Sequence, residues 1–120
     1  NVGIETDSPN TLLHIKKSSG ETTARTEVDS NSVVGYEIKK TGSTTQHWKI
    51  VDGQTTNGVL EFYDVTDTAT RLAIKGDGNV GIGTTSPGYK LTVAPSDNDG
   101  ILIDSSIRVI FILEMQQAIL

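Results

Sequence analysis

The stretch GNVGIGTTSPGYKLTV, Gly78 to Val93, has a worn copy at the start of the chain, NVGIETDSPNTLLHI, Asn1 to Ile15. Setting Asn1 against Asn79 gives an offset of 78 residues. Asn, Val, Gly and Ile then agree at 1–4 and 79–82, and Thr6, Ser8, Pro9 and Leu13 match Thr84, Ser86, Pro87 and Leu91. Eight identities in fifteen ungapped positions mark an internal repeat. Gly76, Asp77, Gly78 and Asn79 tolerate positive φ, so a sharp reversal is expected after a strand ending near Lys75. Val80 and Ile82 then point to one side and Gly81 and Gly83 to the other, which permits close backbone approach. The Ser86–Pro87 pair ends that strand, and Leu91 and Val93 resume the alternation.

The units are expected as a first motif copy at 1–15, a β-rich body at 16–77, a second copy at 78–95, and a truncated second body or C-terminal assembly segment at 96–120. The body reads as short strands. Val34, Tyr36 and Ile38 oppose Glu37 and Lys39; Trp48 and Ile50 oppose His47 and Lys49. Leu60 and Phe62 alternate with Val59, Glu61 and Tyr63, and Leu72 pairs with Ile74. TGSTT, DGQTTNG and KGDGN between these runs have turn composition. The expected fold is all-β, short antiparallel strands forming a sheet or a small sandwich or knob between motif copies. Ile101 to Leu120 is strongly apolar, yet Asp104, Arg108 and Glu114 interrupt it well short of the roughly 20 residues of a membrane helix. No membrane insertion is expected, and the tail reads as packing into an assembly.

Composition points the same way. Apolar residues make up 35% and aromatics 5%, while threonine, glycine and serine number 16, 12 and 10. A lone chain so poor in apolar side chains struggles to offset a backbone entropy cost of roughly 1–2 kcal/mol per residue. We therefore expect core shared between chains, with Val2, Ile4, Val80, Ile82, Leu91 and Val93 as the assembly interface. A net charge of −5 argues against a nucleic-acid partner and an anionic membrane surface. The absence of cysteine excludes disulfides and thiolate chemistry. Asn1 as first residue and Met115 as the only methionine suggest a fragment or processed piece of something longer.

GNVGIGTTSPGYKLTV and its weaker first copy resemble the recurring element of bacteriophage tail fibre and tailspike shafts, and HWKIVDGQTTNGVLEFYDVTDTATRLAIKGDGN resembles the body between such elements. The resemblance covers essentially residues 1–95. It implies a homotrimeric, β-rich fibre segment of a virion or a comparable cell-surface filament, with strands of three chains intertwined or stacked. Itself and adjoining fibre segments would be its partners, and no catalytic residue carries over. Glu5 stands where the second copy has Gly83, so the first copy is expected to have a looser turn.

Candidate chemistry is thin. GNVGIG resembles a phosphate cradle, but Thr84, Thr85, Ser86 and Pro87 follow it where a helix should open. Asp64, Asp67 and Asp77 suit turns better than a calcium loop, and His14 and His47 lack metal spacing, so neither metal nor cofactor is expected. Glu61 and Asp64 read as solvent-facing strand carboxylates rather than a glycosidase pair, and no enzyme is expected. The alternative role is a carbohydrate-binding adhesin module for a host surface polysaccharide. Its candidate contacts are His47, Trp48, Tyr63, Gln54 and Asn57, although Trp48 and Phe62 are first expected in the sandwich core.

Overall fold

The computed structural model describes residues 1–94 and residue 101. Among these residues the elements are all strands: β1 (Val2–Ile4), β2 (Leu13–Ile15), β3 (Val34–Lys40), β4 (Gln46–Asp52), β5 (Val59–Asp64), β6 (Ala69–Lys75), β7 (Val80–Ile82) and β8 (Leu91–Val93). The expectation for residues 96–120 lies outside the described residues, Ile101 apart.

β3 through β8 form one six-stranded sheet in chain order, and β1 and β2 form a separate pair. The strands from β3 to β7 run antiparallel, as their short turns require. β1–β2 and β7–β8 are parallel, which corrects the expectation of antiparallel strands throughout. Parallel neighbours usually need a crossover of a dozen or more residues. Here strands of three residues let the motif loop at 83–90 return to the same end of the sheet.

Local chemistry sets the hairpins. At the β6–β7 turn Gly78 N donates to Lys75 O at 2.9 Å, Gly78 has φ 81°, and Asn79 N donates to the Asp77 carboxylate at 3.0 Å. That is the reversal expected of KGDGN, and it places the body and the second motif copy in one sheet. At the β5–β6 turn the Asp64 carboxylate accepts from Thr66 N and Asp67 N at 3.0 and 3.2 Å. Phe62 faces Leu72 but Tyr63 faces Thr70, leaving Arg71 unopposed in a bulge. The Arg71 guanidinium reaches Asp64 at 2.9 Å and also pairs with Asp67.

No second sheet packs on this one among the described residues, so of the expected sheet or sandwich the body takes the single-layer form. Val51, Val59 and Ala73 are its buried apolar residues. Burying a valine contributes about 1.5–3 kcal/mol, so three small side chains offset little of the chain's ordering cost. Trp48 is half-buried and Phe62 is 40% exposed, so neither is core as expected. The apolar side of the sheet faces outward.

Candidate functional site

Strand pairing lines up the side chains of that outward face. One row runs Val34, Asp52, Leu60, Ile74, Val80 and Leu91 across the six strands. The next runs Tyr36, Ile50, Phe62, Leu72, Ile82 and Val93, and a third begins with Ile38 and Trp48. In the first two rows only Asp52 carries a charge, and it accepts from Gly58 N at 3.0 Å. Tyr36, Ile38, Leu60, Phe62, Ile74, Ile82 and Leu91 are between 37% and 59% exposed. Contiguous apolar surface on this scale marks an interaction site.

The other face closes on itself. Its residues alternate with those rows, and Val51, Val59, Glu61, Ala73 and Gly81 are buried there. Glu61, expected to face solvent, has no accessible surface. The loop between β4 and β5 folds over it: Thr55 Oγ1 donates at 2.5 Å, Thr55 N at 2.8 Å and Thr56 N at 3.3 Å. Thr70 Oγ1 of β6 adds a fourth donor at 2.6 Å. Burial pushes the Glu61 carboxyl up, but these four hydrogen bonds outweigh it and hold the group below its ordinary value. Asp64, also expected at a solvent-facing position, lies on the apolar side instead, in register with Trp48; it is 2% exposed and accepts from Gln46 Nε2 at 2.8 Å. Burial raises its carboxyl too, and the bonds from Arg71, Asp67 N and Thr66 N bring it below the usual range. Each carboxylate ties a loop to the sheet.

The two motif copies share their strand-pairing bonds. Val2 N donates to Leu12 O and Val80 N to Lys90 O; Lys16 N donates to Ile4 O and Ala94 N to Ile82 O. A methyl group at Gly3 would collide with the Thr6 carbonyl, and one at Gly81 with the Thr84 carbonyl, so in both copies the loop lies directly on the glycine. Glu5 has φ 57° where Gly83 has φ 72°. The first turn is therefore not looser, as expected from Glu5, but the same turn held by a residue that disfavours it.

Of the expected assembly residues, Val80, Ile82, Leu91 and Val93 lie together on the outward face of the sheet. Val2 and Ile4 sit at the matching positions of β1, opposite Leu13 and Ile15, and are 60% and 49% exposed. The candidate glycan contacts do not share one surface. Trp48 is on the apolar face. His47 and Tyr63 belong to the opposite face, where His47 Nε2 lies 3.2 Å from Glu37 and Tyr63 faces Lys49. That hydrogen bond from His47, with help from Lys49 and against burial, lowers the Glu37 carboxyl. Gln54 accepts from Lys49 Nζ at 3.2 Å, and Asn57 packs beside Gly53. Sequence reasoning missed Tyr36, Ile50, Leu60, Leu72 and Ile74 as part of the exposed face. Their alternation is visible in the sequence, but alternation alone does not say which side of a strand stays exposed.

No family model matches the chain, and no curated protein matches it either. The functional reading therefore rests on the residues and their geometry.

Proposed function

We propose that the chain is a structural module of a homotrimeric fibre, of the kind that forms bacteriophage tail fibre and tailspike shafts, carried on a virion or a comparable surface filament. Its role is mechanical: it holds a distal recognition element away from the particle and transmits its orientation. The observation that carries this reading is the outward apolar face, two aligned rows spanning six strands with one charged residue between them. Three such faces turned toward a common axis give each chain the core it lacks alone, a larger gain than three buried small residues provide. The motif copies fit the same reading, because each carries a pair of aliphatics on two parallel strands, and those of the second copy belong to that face. Itself and adjoining fibre segments are the partners this reading requires.

Val80→Asp tests it, since it sets a charge inside the shared layer. The variant should run as a monomer in sizing where the parent runs as a trimer, and an unchanged assembly would oppose the reading. Titration with host surface polysaccharide decides the adhesin alternative. Binding that Trp48→Ala abolishes, with fold and assembly intact, would move the role from spacer to adhesion.

A further inference from the structure

β7 is paired on both sides, to β8 by the motif loop and to β6 by the KGDGN hairpin. β1, its equivalent in the strand-pairing bonds of the motif, is paired on one side only among the described residues. We propose that the outer edge of β1 is a strand-acceptor site for an antiparallel strand of the β6 kind, supplied by another body of this type set end to end with this one.

The acceptor groups can be read from the second copy. There Ala73 faces Gly81, Asn79 O accepts from Lys75 N at 2.9 Å and Gly83 N donates to Arg71 O at 3.1 Å. Among the described residues the corresponding Asn1 carbonyl and Glu5 amide make no such backbone bond. Nothing in the edge itself blocks an incoming strand. Natural edges are guarded by lysine, proline or bulges, whereas this one reads Asn1, Val2, Gly3, Ile4, identical to Asn79–Ile82. The side-chain pattern of the occupant follows from the register. β6 places Leu72 beside Ile82 and Ile74 beside Val80, with the small Ala73 against Gly81. A strand on β1 must likewise carry two aliphatics around a small residue, beside Ile4 and Val2. Those two side chains are more exposed than Ile82 and the half-buried Val80, as expected where that neighbour is missing. The backbone bonds supply affinity and the alternate aliphatics supply selectivity, as in other strand additions. This argument does not depend on the trimeric reading.

The test is an extended chain carrying a second Ala69–Gly78 segment, ATRLAIKGDG, directly ahead of Asn1. Because 1–4 repeats 79–82, this recreates the natural β6–β7 junction at β1. Amide exchange at Gly3 and Glu5 should slow by about tenfold or more against the unextended chain, with Gly81 as the protected reference in the same sample. An extension with aspartate at the positions of Leu72 and Ile74 should give no slowing. Three results overturn the proposal: fast exchange at Gly3 and Glu5 in the extended chain; lost protection at Gly81, showing that the added strand displaces β6; or protection of Gly3 already present in the unextended chain through β1–β1 pairing of copies. Protection gained by a chain that stays monomeric would uphold the acceptor site while opposing the fibre.

Discussion

The two faces of the six-stranded sheet are built from the same strands and meet water differently. On the Glu61 side, a loop carrying Thr55 and Thr56 folds back and satisfies the carboxylate, and Val51, Val59 and Ala73 are buried on that side. On the Phe62 side, two rows of aliphatic and aromatic side chains stand half-buried to exposed, with Tyr36 Oη donating to the Ala24 carbonyl at 2.8 Å. The polar face is self-sufficient because short polar side chains reach it from the neighbouring loop. The apolar face needs more surface than the described part of this chain supplies. Burial within a chain thus follows the available lids, not hydrophobicity alone.

The contrast can be broken most forcefully at Phe62. Phe62→Asp should cost assembly about 3 kcal/mol or more per copy, while the strand signal in circular dichroism persists because Phe62 is already 40% exposed within one chain. Glu61→Ala strikes the other face. It strands the Thr55 and Thr70 donors and should cost about 2–3 kcal/mol of folding stability in urea titration, with amide protection lost at Thr55 and Thr56.

Glu5→Gly compares the motif copies. Relief of its left-handed backbone should raise stability by about 1 kcal/mol. The reciprocal Gly83→Glu should lower it by at least as much, since a Cβ there also crowds the Ala94 carbonyl. The smallest effect is on pH dependence. Because Glu61 is held below its ordinary value of 4.5, its contribution is complete above that pH and fades as pH falls through the folded-state value. Asp64 and Glu37 shift in the same direction, so Glu61→Gln should flatten the acid limb of a stability–pH curve without abolishing it.

Much of the fold is visible in the residues. The 78-residue repeat, the alternation in β3–β6 and the KGDGN reversal all follow from local rules: spacing, β-branching and left-handed turn residues. What local rules do not contain is which face of an alternating strand becomes buried. Leu60 and Phe62 read as core by their chemistry, and Glu61 as surface by its charge. The outcome was decided by Thr55, Thr56 and Thr70, which reach Glu61 from a loop and a neighbouring strand, a contact of tertiary structure. The parallel pairing of the motif strands was hidden for a related reason. Hairpin rules apply to strands joined by tight turns, whereas Thr6 and Thr84 sit on Gly3 and Gly81 and carry the loop over the sheet.

Sedimentation equilibrium at micromolar concentration addresses the uncovered face most directly. Three times the 12.8 kDa chain mass, collapsing to a single chain in Phe62→Asp, is the expected result. A parent chain that remains folded at 12.8 kDa across that range would contradict it, because those rows of side chains would then be stable against water alone.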